Sequence, residues 1–254
     1  IDTNIYQKLN LNIQLLGSLV CINTGVVAHS KKESNLNFTK DDVIHKEYKE
    51  GFKKYVIGSN LSPYTIRFEN DFFDYTSKQE HFHRPKFPLL FESEKIIVRR
   101  ISGKNNKIIA CFDDLKYYSN DNLMHLILWN DNVLKFQKPE KKWDIIIDDN
   151  LSLKFITSIL NSNLITYYFS KFLCTDTLQG TYSSIYPDDL RQIPIKRGFQ
   201  QEKNIIAKVD QILSLKKDNP EADTSALERE IDTLVYQLYN LTDEEIAIVE
   251  EASK

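Results

Sequence analysis

A chain of 254 residues with 41% hydrophobic and 27% charged residues can bury a sizeable core, and only 7 Gly and 7 Pro exclude a collagen-like or low-complexity polypeptide. No run approaches the roughly 18 apolar residues of a membrane span, and the start lacks a basic region leading into an apolar stretch, so neither a span nor a signal peptide is read. The net charge of −3 hides an asymmetry: residues 1–200 hold 27 Lys and Arg against 23 Asp and Glu, whereas residues 201–254 hold 6 against 13. A polyanion would therefore meet the first 200 residues and be repelled by the acidic end.

In chain order, Gln14–Asn23 reads as one strand entering a turn at Thr24-Gly25, with Val26-Val27-Ala28 behind it. His29-Ser30-Lys31-Lys32 then reads as a loop, either a solvated surface or a phosphate contact through Lys31 and Lys32 with His29 or Ser30 reaching a base edge. Asp41–Phe52 has the look of a short polar helix closed by Gly51, and Tyr55-Val56-Ile57 of a short strand turned by Gly58-Ser59-Asn60. Asp74, Glu80, His81 and His83 are candidate metal ligands, although no second cluster stands at ligand-like spacing; solvated or aromatic-packed histidines are the plainer reading.

Lys95–Ser102 alternates into a strand, Gly103–Asn106 makes a hairpin loop and Lys107–Phe112 returns. Arg99, Arg100, Lys104, Asn105 and Lys107 thus crowd one β-ribbon. Such a ribbon fits the major groove, while the alternative is a charged hairpin kept from aggregating at a sheet edge. Neighbours on a strand leave opposite faces, so at most one of Arg99 and Arg100 can face a groove. Leu123–Trp129 and Trp143–Ile147 read as further strands.

Leu153, Ile156 and Leu160 form a helical stripe, Asn161-Ser162-Asn163 interrupts it because such side chains favour caps and turns, and Leu164, Tyr168 and Phe172 begin a second helix. A polar loop, Gln179–Ser184, follows, and Pro187 and Pro194 bracket Leu190–Ile193. Beyond it, Ile205, Val209 and Ile212 make one stripe and Leu227, Ile231, Leu234, Val235 and Leu238 another, with Pro220 placed for a helix's first turn. Thr242–Glu245 is a capping box. The stripes are expected to pack against each other and against Leu151–Leu173; a partner-binding seam is the alternative.

Helix–Ile-Leu-Asn-Ser–helix, a Gly-containing loop and Leu-Arg-Gln-Ile-Pro-Ile resemble the TaqI-like C-terminal specificity domain, the target-recognition part of restriction–modification enzymes that carry an N6-adenine methyltransferase. Ile22-Asn23-Thr24-Gly25, Tyr55–Asn60 with Tyr64, Ile97–Arg100 and Glu230–Tyr239 agree in order and spacing, so the resemblance spans nearly the whole chain. It implies an α/β (α+β) fold: a β-rich recognition domain with a helical hairpin over 1–200, then an antiparallel helical positioning segment over 201–254. It also implies duplex DNA as partner, with methyltransferase or nuclease domains on the parent chain. The candidate DNA-binding residues are His29, Lys31, Lys32, Ser59, Asn60, Arg99, Arg100, Lys104, Asn105, Lys107, Gln179, Thr181 and Tyr182, Gly180 letting backbone approach DNA at the last two.

No Gly-x-Gly-x-x-Gly or phosphate-binding loop is present, and Asn219-Pro220 is followed by Glu221, not by the Pro-aromatic pair that holds a flipped base. Pro187-Asp188 has no Asp/Glu-x-Lys behind it. S-adenosylmethionine and magnesium are therefore expected in other domains of the parent, with no catalysis, catalytic residue or metal here. The start at Ile1, with Met124 as the only methionine, reads as a piece of a longer protein, and Cys21, Cys111 and Cys174 as thiols of a reducing cytoplasm. Two rivals are a metal-dependent nuclease around His81 and His83, and an interaction module like the spacer helices of type I specificity subunits.

Overall fold

The computed structural model describes residues 2–174 and 182–253, with the backbone of Thr177 and Leu178 between them. A four-stranded antiparallel sheet lies at its centre, in the order Ala110–Asp113, Lys95–Arg99, Leu123–Leu128, Val20–Thr24. Side chains alternate across a strand, so each strand serves two faces. Val20, Ile22, Ile96, Val98, Ala110, Met124 and Leu126 go to one face, where they meet Phe155, Ile156, Ile159 and Leu160 of the Leu153–Asn161 helix. Cys21 and Ile127 go to the other, against Phe73, Tyr75, Phe82, Phe91 and Tyr118. Ile97, Cys111 and Leu123 share that second side with Val56, Leu61 and Tyr117.

Ser162 ends one helix and caps the next, its Oγ accepting from Ile165 N at 3.2 Å. Asn161 does more than interrupt. Its Oδ1 accepts from Ala110 N and its Nδ2 donates to Ala110 O, both at 2.9 Å, so a side chain supplies the two bonds that a neighbouring strand would make. The second helix, Asn163–Tyr168, runs on through a wider π turn, Phe169–Leu173.

The helices Phe199–Asp218, Ser225–Leu238 and Asp243–Ala252 follow. Ile205, Val209, Ile212, Ile231, Val235 and Leu238 enter the same core as Ile96 and Val98, as their spacing predicts. The Thr242–Glu245 box forms: Thr242 N donates to Glu245 Oε2 at 2.8 Å, and Glu245 N returns a 3.4 Å bond to Thr242 Oγ1. The α+β class expected from sequence is the class observed.

Four local expectations are corrected. Gln14–Asn23 is not one strand: Gln14–Leu15 pairs with Pro194–Ile195, a helical turn occupies Leu16–Leu19, and the long strand starts at Val20. Asp41–Phe52 holds no polar helix; Ile44–His45 pairs with Asp71–Phe73 instead, and Gly51 takes a left-handed φ of 88° before Lys53–Val56. Trp143–Ile147 is extended but unladdered, tied by Ile146 N to Ser18 O at 2.8 Å. Pro220 lies in a turn ahead of the helix that begins at Ser225, outside its first turn. Among the described residues no helix is long and apolar enough to cross a membrane.

Candidate nucleic-acid interface

The registers bring several loops to one end of the central sheet. Thr24 closes one strand opposite Met124, Arg99 closes another opposite Leu123, and the parallel pairing of Tyr118–Ser119 with Tyr55–Val56 carries Ile57–Ser59 toward the same end. Val26 bridges Asn120 across this end. Segments spread over the sequence, from Thr24 to Asn122, therefore gather on loops held by a rigid scaffold.

The hairpin expected at Lys95–Phe112 forms, Lys95–Arg99 pairing antiparallel with Ala110–Asp113 at the sheet's border, but it is not a free ribbon. Lys95–Arg99 is an interior strand, flanked on both sides, and cannot enter a groove as a free ribbon. The separate ribbon is Val27–Ser30 paired with Phe82–His83. It makes His29 part of a strand, contrary to the loop expected there. His29 stacks on His83 with ring centroids 5.4 Å apart at 21°, and Lys31 N donates to His81 O at 2.9 Å. Exposed Lys31, Lys32 and Arg84 continue from its strands. Neighbouring cations are spoken for: Lys46 pairs with Asp71, Lys53 with Glu92 and Lys78 with Asp74.

Arg99 and Arg100 diverge as strand geometry requires. Arg99 continues the Ile97 face, whereas Arg100 turns to the loop before Pro187. Its guanidinium carbon sits 5.7 Å from the Tyr186 ring centroid, its Nη1 donates to Asp121 O at 3.5 Å, and its Nε is buried with no protein partner. Tyr182 and Tyr186 are exposed beside it, at 44% and 38%.

Other candidates have different neighbours. Asn60 is buried; its Oδ1 accepts from Ile57 N at 2.7 Å, which shapes the turn, and its Nδ2 is buried with no protein partner, while Ser59 stays exposed. Asn105 Nδ2 donates to Ser253 O at 3.4 Å and Lys107 Nζ lies 4.0 Å from Glu228, so the acidic helices draw that hairpin tip toward themselves and leave Lys104 exposed. Gln179 and Thr181 lie outside the described residues. The candidate metal ligands do not assemble: His81 Nδ1 bonds Ser34 Oγ at 2.9 Å, Asp74 binds Ser77 and Lys78, and no group of three ligating side chains forms among the described residues.

Sequence reasoning missed a polar layer beneath these loops. Lys95 and Asp113 form a fully buried ion pair at 2.5 Å, and Lys95 Nζ also donates to Phe91 O at 2.6 Å. Burial holds the Lys95 ammonium below its ordinary value, with Asp113 opposing that shift. His125 Nε2 shares a 2.7 Å bond with Ser119 Oγ, and burial, then Lys95 and Lys86, push its pKa well down, so the imidazole is neutral. Gly25 fits against this layer because it lacks a side chain: a Cβ there would stand 2.2 Å from Asn120 O and 2.4 Å from Ser119 O. Also missed are Lys86, Phe87, Phe136 and Gln137. The one available signal was a large apolar residue, Phe136, in polar company.

The TaqI-like C-terminal specificity domain matches residues 53–195. The chain is 30% identical over 173 residues to the putative type II restriction enzyme and methyltransferase RM.MjaORFECS2P of Methanocaldococcus jannaschii, a match covering 65% of this chain and 13% of that protein. Its fold is similar to that of the type IIL restriction-modification enzyme MmeI, solved in complex with DNA, with a TM-score of 0.59 at 12% identity over 94% of this chain and 36% of that one. The type IIG restriction endonuclease BpuSI is similar at a TM-score of 0.50 and 14% identity, over 94% of this chain and 32% of that one. The chain thus spans about an eighth of the M. jannaschii relative and about a third of each solved enzyme. With 143 of its 254 residues inside the family's match, the chain belongs to the TaqI-like C-terminal specificity domain family.

Proposed function

We propose that this chain recognises a specific duplex DNA sequence on behalf of a cytoplasmic restriction–modification enzyme whose methyltransferase and nuclease chemistry resides in other domains of the parent polypeptide. The observation that carries it is the Arg100–Tyr186 pair at one end of the sheet and the His29–His83 ribbon that leaves the same end at Val26, with exposed Arg84, Lys31 and Lys32 continuing from its strands, on a specificity-domain scaffold. Cations and backbone donors fix register on phosphates; side chains between them read base edges. Residues 1–200 carry the contacts, and 201–254, net acidic, back the sheet and orient it against the catalytic domains. S-adenosylmethionine and magnesium act in those domains: this chain has neither the glycine turn nor the base-holding motif that the methyl donor's site needs.

The test is selection of duplexes from a random pool by the isolated chain, followed by titration of the recovered site at several salt concentrations. One sequence should emerge, and log affinity should fall against log salt by about 0.9 per phosphate contact. Recovery of no common sequence, or binding insensitive to salt between roughly 50 and 200 mM, overturns the reading.

A further inference from the structure

At the same sheet end, three segments distant in sequence close a ring of contacts. Asn23 Nδ2 donates to Gln137 Oε1 at 3.2 Å. Phe136, next to Gln137, stacks on Phe87 with centroids 5.8 Å apart and planes within 6°. Lys86, next to Phe87, donates from Nζ to Thr24 Oγ1 at 3.4 Å, and Thr24 returns the chain to Asn23. Yet Phe136 is 58% exposed, in a neighbourhood of exposed cations, Arg84, Lys135 and Lys138.

The Gln137 carboxamide has two N–H donors and two acceptor lone pairs. Nε2 gives one donor to Lys138 O at 3.1 Å, and Oε1 gives one lone pair to Asn23. The head is thereby held at both ends and retains one donor and one acceptor. In the major groove, adenine shows an N7 acceptor beside an N6 donor, guanine two acceptors, cytosine a donor alone; thymine shows O4 and an apolar C5-methyl group. A fixed carboxamide with one donor and one acceptor matches adenine, and an exposed phenyl ring beside it matches the thymine methyl.

We propose that Gln137 and Phe136 together read one A·T base pair from the major groove, with Asn23 as the residue that positions Gln137. This rests on the DNA-recognition reading above. An Asn or Gln bonded at both ends loses less conformational freedom on binding than a free one, so the pairing of Asn23 with Gln137 prepares the reader.

The experiment uses the whole chain and the duplex recovered by selection. Each thymine in the site is replaced in turn by deoxyuridine, which removes only the C5-methyl group. At one position the loss should be about fourfold, the worth of one buried methyl. Phe136→Ala should bind the thymine and uracil duplexes equally at that position. Gln137→Ala should relax preference at the same base pair by roughly tenfold, and Gln137→Glu should move it toward cytosine, whose N4 only donates. Asn23→Ala should weaken binding while lowering discrimination at that pair alone, a pattern that general loosening of the fold does not give. If no thymine methyl matters, or if Phe136→Ala leaves its effect intact, the proposal is wrong while DNA recognition stands. If selection yields no site, both fall.

Discussion

The two faces of the central sheet are built on different chemistry. The face toward the helices is mostly aliphatic where the strands meet them: Ile96, Val98, Met124 and Leu126 against Ile156, Ile159, Leu160, Ile205 and Val209. The opposite face is aromatic and carries buried polar groups, the Lys95–Asp113 pair and the Ser119–His125 bond. Apolar packing tolerates small shifts, because it is non-directional. A buried charge pair or a bonded imidazole does not, because misplacing either partner leaves an unpaired polar group in low dielectric. Both faces bury apolar surface, but the polar layer of the second also fixes where the loops from Gly25 and Asn120 begin, although an ion pair of this kind adds little net stability over apolar residues of similar volume.

That contrast can be broken most violently at Asp113. Asp113→Ala leaves the Lys95 charge buried and alone, and should cost about 3–5 kcal/mol in denaturant unfolding. The double replacement Lys95→Met with Asp113→Leu should restore only part of that stability, because Asp113 also accepts from Leu115 N at 2.8 Å and Tyr117 N at 3.0 Å. DNA affinity should not return with it if the polar layer sets the loops. Gly25→Ala comes next: its Cβ must displace the Asn120 backbone, at about 1–3 kcal/mol, and should reduce DNA affinity by more than its loss of stability explains. On the helical face, Ile159→Val should cost about 0.5–1.5 kcal/mol in the same unfolding assay and leave DNA affinity unchanged.

The smallest effect sharpens the comparison at Asp232, a carboxyl on the helical side. Burial pushes its pKa up to about 6, against the bond from Asn163 N and the charge of Lys107, which lower it, while Glu228 and Glu250 add to the rise. Between the ordinary value of 3.8 and about 6 the folded chain binds more protons than the unfolded one. Stability therefore falls as pH rises through that window, and the full cost is present above it. Asp232→Asn keeps an acceptor for Asn163 N, so it should flatten that slope and raise stability at pH 7 by on the order of 1 kcal/mol.

What could be read from sequence was what is local. The stripes from Ile205 to Leu238, the Ser162 cap and the Thr242 box depend on residues three or four apart, and each forms as spaced. The hairpin is legible with its right partner but reads as a free ribbon, because alternation identifies a strand and not how many neighbours it has. Lys95–Arg99 looks like half a free hairpin until Leu123–Leu128 lies down on its other side. Asp41–Phe52 failed for the same reason, its fate decided by Phe72 and Phe73. Of the site, Lys31, Lys32 and Arg100 were visible as charge. The Asn23–Gln137 pair was not, since its partners stand 114 residues apart.

Asn161 has a counterpart across the sheet, and together they bear on how the molecule behaves in a crowded solution. The sheet has two border strands, and an unpaired border is a template on which a second chain can lay its own strand. On one border Asn161 occupies both backbone groups of Ala110. On the other, Arg191 Nη2 donates to Ile22 O at 3.1 Å, with the Pro187–Arg191 helix lying alongside. Side chains take the place of a fifth strand on either side. The apolar run Val20-Cys21-Ile22 is thereby denied to other copies, and Arg191→Ala should reveal it as concentration-dependent association, seen by light scattering, before any loss of fold.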